Sequence, residues 1–294
     1  MKHSLRLWYA LLAAFALVVT GCGGGDEDAA PEPDVQETTE FPAGSTMARL
    51  ADAGVIKIGT KFDQPGLGNI NLETDKPEGF DVEVGKIIAG KLGIEPDKIE
   101  WVETVSANRE SFIANGNVDM VIATYTINDK RKEQIDFAGP YYVAGQDLLV
   151  AKDDGSVTGP ETLAGKRVCA ATGSTPIGNI RTNYPDAEPV EFDTYTECVD
   201  QLEAGQIDAV STDDIILAGY ASDPKYEGKF KVVGKAFSME PYGIGLKKGD
   251  TAFRNFLNDT LEEIYADGSW KEAFDATLGK SGVEAPAPPA VNRY

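Results

Sequence analysis

Histidine is almost absent from this sequence. The single one, His3, lies within the first few residues. Basic residues are scarce as well, 27 against 48 acidic. Cysteine occurs three times, at Cys22, Cys169 and Cys198, and the longest apolar run stops at Val19. Each shortage excludes something. The run from Leu7 to Val19 is shorter than the roughly 20 apolar residues a membrane-spanning helix needs. Lys2 and Arg6 precede it and "TGC" follows, so residues 1–21 read as a cleaved signal peptide. Cleavage removes two basic residues and no acid, and the charge becomes 25 − 48 = −23. A surface of that sign argues against nucleic acid as a partner. Cleavage also removes the histidine. The mature chain then has no Ser-His-Asp group, no Cys-His pair and no histidine-ligated zinc, and most hydrolase mechanisms are excluded.

The cysteines divide by position. "VTGC" (Val19 to Cys22) has the form of a bacterial lipobox, in which Cys22 becomes the lipidated first residue; the competing reading is an ordinary leader with an incidental cysteine. Residues 22–46 begin with glycines and continue with seven acidic residues, two prolines before Phe41 and no Lys or Arg. Such a stretch buries too little apolar area to order itself and is expected to act as a disordered acidic tether. The expected location is the outer face of the cell membrane, anchored through Cys22. Cys169 and Cys198 remain, an even pair that suggests a disulfide in an exported protein, with two buried free thiols as the alternative.

The 294 residues suit about two domains, and an internal echo supports that number. "FIANGNVDMVIAT" (Phe112 to Thr124) and "QLEAGQIDAVSTD" (Gln201 to Asp213) both read as a helix end, a glycine stop and a short apolar strand. Gly116 and Asp119 recur as Gly205 and Asp208 at the same offset. Glycine is the usual residue just past a helix C-terminus. Further strands are expected at "VIKIGT", "IEWVET" and "KRVCAAT". A helix with Phe80, Val84, Ile87 and Ile88 on one face follows "EG", another follows Pro176, and a pair broken at Gly268 lies near the end. Alternating strands and helices predict an α/β protein of two lobes, each a mainly parallel sheet flanked by helices.

Open parallel sheets bind ligands beyond the carboxyl ends of their strands. The echo makes Thr124 and Asp213 equivalent strand ends. The first is followed by Thr126 and Arg131 in "TYTINDKR". A third strand end, "ATGSTP", puts Ser174 and Thr175 before Pro176, expected at the first helical position, where free amides hold a carboxylate. Arg131 offers a planar fork for a carboxylate, with Thr126, Ser174 and Thr175 beside it. Asp213 and Thr124 suit an ammonium. Together they fit the backbone of a free α-amino acid. The simpler alternatives are an Arg131 paired with Asp129 or Glu133, an Asp213 that caps its own helix, and a Ser174–Thr175 turn that is only a cap.

The motifs "GFDVEVGKIIAGKLG", "GNVDMVIATYTINDKRKEQIDFAGPYY", "ATGSTP" and "AGQIDAVSTDD" resemble the polar amino-acid-binding proteins of bacterial ABC importers, solute-binding protein family 3. Within that family they are most similar to the glutamate-binding lipoproteins of actinobacteria. The resemblance covers about residues 48–278. It implies a two-lobed periplasmic-binding-protein clamshell of type II, with residues 47–142 and 243–278 in lobe one, 143–242 in lobe two, and a disordered tail at 279–294. The strands crossing between lobes are expected near "YYVAG" and "MEPYGIG". It further implies that Arg131 clasps the ligand α-carboxylate with Thr126 and Thr175. Asp213 would take the ammonium, helped by Thr124, and basic residues at Arg109 and Lys61 would hold a distal carboxylate. Phe62 and Gln64 compete for a place packing on the ligand. The implied function is capture of glutamate, or aspartate, by a monomeric binding protein without cofactor or metal, and delivery to the permease subunits of an ABC importer. The alternatives are glutamine or another polar amino acid, a dehydratase-like enzyme on the same scaffold, or a tethered sensor.

Overall fold

The structure, a computed structural model, describes residues 33–37 and 40–294; the expected leader, the expected lipidation site Cys22 and part of the expected tether lie outside the described residues. Helix α1 (Thr46–Ala53) leads into strand β1 (Ile56–Thr60). A small sheet follows, made of β2 (Asp63–Gln64), β3 (Gly68–Asn71) and β4 (Lys76–Glu78). Then come α2 (Phe80–Lys91), β5 (Ile99–Glu103), α3 (Arg109–Ala114), β6 (Met120–Val121), the short helix α4 (Asp129–Lys132) and the long strand β7 (Ile135–Ala144). The second lobe runs through β8 (Gln146–Ala151), β9 (Arg167–Ala171), α5 (Thr175–Asn183), β10 (Glu188–Phe192), α6 (Tyr195–Glu203), β11 (Ala209–Asp213), α7 (Asp214–Ser222) and β12 (Phe230–Val232). The chain returns by β13 (Glu240–Lys247) and ends its regular structure in α8 (Thr251–Asp267) and α9 (Ser269–Ala276).

The two main sheets have the same plan. Lobe one has the order β5-β1-β6-β13-β7 and lobe two β10-β9-β11-β8-β12. In each, the first three strands are parallel, the fourth opposes them and the fifth opposes the fourth. Four strands of five therefore point one way, the mainly parallel type II clamshell. The crossings fall at Gly145, between β7 and β8, and between β12 and β13. β7 and β13 themselves pair antiparallel from Glu240↔Ala144 to Lys247↔Ile135. The expected cuts at 142/143 and 242/243 thus fall inside two paired strands of the first sheet.

The internal echo is geometric. Gly116 and Gly205 have φ of 72° and 69°, the left-handed conformation that ends α3 and α6. Asp119 accepts from Lys57 N at 2.9 Å and Asp208 from Arg167 N at 2.7 Å, each fastening its strand to the start of the neighbouring one. On α2, Phe80, Val84 and Ile88 are buried while Ile87 is half-buried. Cys169 of β9 and Cys198 of α6 are joined by a disulfide with Cα atoms 5.6 Å apart.

The C-terminal tail departs from expectation. Its prolines argue against regular structure, yet its last residues dock on β7, the edge strand of the first sheet. Asn292 N donates to Gly139 O at 2.8 Å, and Phe137 N to the Tyr294 hydroxyl at 2.7 Å. The Tyr294 ring lies under Lys132 and Arg254, and Arg293 bridges Asp259 and Glu262 of α8. An unpaired strand edge with free amides is the physical reason a sequence without helix or strand pattern still finds a fixed place. In the tether, Gln36 N likewise donates to Gly90 O at the end of α2.

Candidate functional site

The strand ends of the two sheets face each other, and the lobes touch there. Thr126 of lobe one and Thr175 of lobe two bring their hydroxyls to 3.3 Å. Arg131 Nη2 donates to Gly173 O across the same gap at 3.2 Å. Gly173 has φ 76°, and a Cβ there would stand 2.8 Å from Ala107 Cα of the opposite lobe, so the turn needs glycine for both reasons. Beside these contacts Asp63 accepts from Tyr195 N at 2.8 Å. The cleft is closed.

Lobe one supplies the cations. Lys61, the residue after β1, is 2% exposed and donates to Ser106 Oγ at 2.9 Å. Arg109 is the first residue of α3, also 2% exposed, and donates to the carbonyls of Ala123 at 3.0 Å and Thr124 at 3.4 Å. Neither has a carboxylate within ion-pair distance among the described residues. Burial, reinforced by the charge of Arg109, pushes Lys61 down to about 7. Arg131 is different. It pairs with neither Asp129 nor Glu133: its Nε donates to Glu110 at 3.1 Å and its Nη1 to Thr126 O at 2.6 Å. Glu110 was not identified from the sequence. Because it sits next to Arg109 on α3, helix spacing could have placed it beside the cleft, but nothing local predicts contact with Arg131.

Thr124 holds the centre of this lobe's site. It has φ 45°, rare for a β-branched residue. Asp81, on the first turn of α2, secures it by accepting from Thr124 N at 2.8 Å, and takes a second bond from the Tyr141 hydroxyl at 2.6 Å. Asp81 is fully buried, and burial pushes its carboxyl up to about 6. The Thr124 hydroxyl lies 3.0 Å from Gln64 Oε1. Gln64 is fully buried and its Nε2 finds no partner among the described residues, whereas Phe62 is half-buried. Gln64 thus stands beside Thr124.

Lobe two supplies the acid. Asp213 ends β11 at the N-cap position of α7, yet its side chain makes no capping bond. Instead Oδ2 accepts from the Tyr242 hydroxyl at 2.6 Å, while Oδ1 is buried with no partner among the described residues. Burial, then the nearby Glu240, push its carboxyl up to about 8. Glu240, at the start of β13, accepts from Thr175 at 2.8 Å and Ser238 at 2.6 Å. Helix α5 begins at Thr175, one residue earlier than the sequence suggests. Pro176 therefore takes the second helical position, and Ser174 is the cap, accepting from Ile177 N at 3.3 Å. The Ser174 hydroxyl is engaged there; the Thr175 hydroxyl faces the other lobe.

The site therefore presents buried cations from one lobe and a carboxylate with an unpartnered oxygen from the other. A buried polar atom without a partner costs about 1–3 kcal/mol, and a zwitterion seated between the lobes would relieve both ends at once.

Residues 56–280 match the family described as bacterial extracellular solute-binding proteins, family 3. The chain is similar to a glutamate-binding protein of Corynebacterium efficiens, 41% identical over 81% of this chain and 83% of that one. It is also similar to an ABC transporter glutamine-binding protein of Bacillus subtilis, 34% identical over 94% of this chain and 97% of the other. Among solved structures it resembles an ancestral arginine-binding protein bound to glutamine, with a TM-score of 0.71 and 34% identity over 77% of this chain and 98% of that one.

Proposed function

The chain belongs to the bacterial extracellular solute-binding proteins of family 3, and from that premise we propose that it captures an acidic amino acid, glutamate first, for an ABC importer. It acts by binding, not by turnover. Lys61 and Arg109 carry the reading: two buried cations with no carboxylate at ion-pair distance among the described residues suit an anion from outside. A ligand with a neutral side chain, such as glutamine, leaves them uncompensated, at a cost of several kcal/mol per buried charge.

The roles follow from the lobes. The ligand docks on lobe one, its α-carboxylate on Arg131 and Thr126 and its distal carboxylate on Arg109 and Lys61. Lobe two then closes. Asp213 takes the ammonium, with Thr124 opposite, and Thr175 completes the carboxylate shell. Phe62 and Gln64 line the side-chain pocket. Closure is a population shift driven by contacts available only in the closed state, and the closed shape is what the permease receives. The protein works as a monomer held at the outer face of the membrane through Cys22. The two lobes, meeting at Gly145 and between β12 and β13, are its two moving bodies.

Glutamine is the second reading, favoured by the name of the Bacillus subtilis relative and by the ligand of the ancestral protein. A melting-temperature screen of ligand-stripped protein against the amino acids separates the two. A ligand at 100 times its dissociation constant adds about 2.7 kcal/mol. Glutamate is expected to give the largest shift. A larger shift with glutamine, or none with any dicarboxylic amino acid, overturns the specificity.

A further inference from the structure

Arg131 is held from behind by two residues that no motif singles out. Glu110 accepts from its Nε at 3.1 Å as a charge-assisted bond. The Tyr125 ring carries its guanidinium carbon 4.9 Å from the ring centre, and the Arg109 carbon 4.2 Å from the same centre. One phenol ring thus supports two of the site's cations. Tyr125 is itself immobilised: it is fully buried, and it meets Phe137 edge-on at 4.8 Å. Tyr125 packs into the lobe-one core with Ile113, Val121 and Phe137, while the hydroxyls of its neighbours Thr124 and Thr126 meet Gln64 and Thr175.

An arginine has five N–H groups. On Arg131 the Nε donates to Glu110, one Nη1 hydrogen to Thr126 O, and one Nη2 hydrogen to Gly173 O. Each terminal nitrogen keeps one N–H with no partner among the described residues, and a bidentate carboxylate takes such a pair. An unsupported arginine loses rotamer freedom when a ligand fixes it; here Glu110 and the ring have already removed that freedom.

We propose that Glu110 and Tyr125 are positioning residues of the carboxylate subsite. Glu110 pins Nε and Tyr125 sets the guanidinium plane, so that the terminal N–H groups of Arg131 meet the α-carboxylate of the incoming amino acid. This inference rests on the role of Arg131 stated above. A merely neutralising glutamate has the opposite consequence. It competes with the anionic ligand for the guanidinium, so its removal tightens binding.

Calorimetric titration of the ligand-stripped protein tests this, with L-glutamate and its α-amide as probes. Glu110→Ala is expected to weaken glutamate about tenfold, equivalent to about 1.4 kcal/mol. Glu110→Gln keeps an oxygen acceptor for Nε and should recover most of that loss. The α-amide, which has no α-carboxylate for Arg131, should show a smaller effect of Glu110→Ala. The Glu110 side chain is 19% exposed, so Glu110→Met, which keeps the side-chain length, replaces the alanine variant if that one melts early. Three results overturn the inference while Arg131→Ala still abolishes binding. These are Glu110→Ala binding as tightly as wild type or more tightly, Glu110→Gln no better than Glu110→Ala, and equal losses for glutamate and its α-amide. If Arg131→Ala leaves glutamate binding intact, the role given to Arg131 fails instead.

Discussion

The Tyr242 hydroxyl donates to Asp213 Oδ2 at 2.6 Å, and Oδ1 of the same carboxylate stays buried with no partner among the described residues. Strand β13, which carries Tyr242, thereby holds the acid of lobe two by one oxygen without satisfying the other.

Replacing that acid should separate binding from stability. With Asp213→Asn the ligand ammonium loses its counter-charge, and glutamate affinity should fall about a hundredfold, within the 2–5 kcal/mol typical of a truncated buried charge pair. The ligand-free protein should respond oppositely. The folded carboxyl titrates at about 8, above its unfolded value. Ionisation therefore costs stability as pH rises above the unfolded value, and the cost is complete above 8. The variant should melt higher than wild type at pH 9 and about equally at pH 4, by calorimetry.

Charge selectivity should reside in Arg109 and Lys61. Arg109→Ala is expected to weaken glutamate at least tenfold more than glutamine, since only glutamate brings the second carboxylate. Lys61→Met keeps the length of the side chain and removes its charge, and should change the same ratio in the same direction. Competition titrations with the two amino acids measure it; an unchanged ratio in both variants would place the distal carboxylate elsewhere.

Glutamate affinity should peak between about pH 7 and 8. Below 8, Asp213 must give up a proton before it can hold an ammonium, so affinity falls as pH falls. Above 7, Lys61 must take up a proton before it can hold a carboxylate, so affinity falls as pH rises. Asp213→Asn should flatten the acidic limb and Lys61→Met the alkaline one. A pH series of dissociation constants on the three proteins reads this directly.

Deleting residues 284–294 should lower the melting temperature by about 4–8 °C. Two backbone-edge hydrogen bonds at about 1 kcal/mol each are lost, and about 2–4 °C follows from each kcal/mol in a chain of this size. Faster hydrogen exchange at the Phe137 amide, which loses its Tyr294 acceptor, is the local signature.

Cys169 and Cys198 are 29 residues apart, and opening a loop of that length costs about 3–4 kcal/mol by chain entropy. Reduction, or Cys198→Ala, should destabilise lobe two by that order in urea melts and leave the order of amino-acid affinities unchanged.

Much of the molecule could be read along the chain. The Gly116 and Gly205 stops, the aspartates after them and the equivalence of Thr124 with Asp213 rest on short-range rules, and β6 and β11 do hold the same place in their sheets. The apolar spacing of Phe80, Val84 and Ile88 marks the buried face of α2 for the same reason. Two local readings missed by little. The proline after Thr175 stands one position deeper in its helix than proline preference suggests. The tail lacks any periodic pattern because an edge strand, not its own sequence, orders it.

By itself the sequence determined the class: strand-and-helix alternation and a repeated half. These follow from periodicity and composition, which act over a few residues. Only the tertiary structure decided who partners whom. It gave Arg131 to Glu110 and left Lys61 and Arg109 without a carboxylate among the described residues. It also laid two guanidinium groups on one tyrosine and left an oxygen of Asp213 buried without a partner among the described residues. The physical reason is that charges pair by distance in space, and the groups that meet here come from strands and helices far apart in the chain.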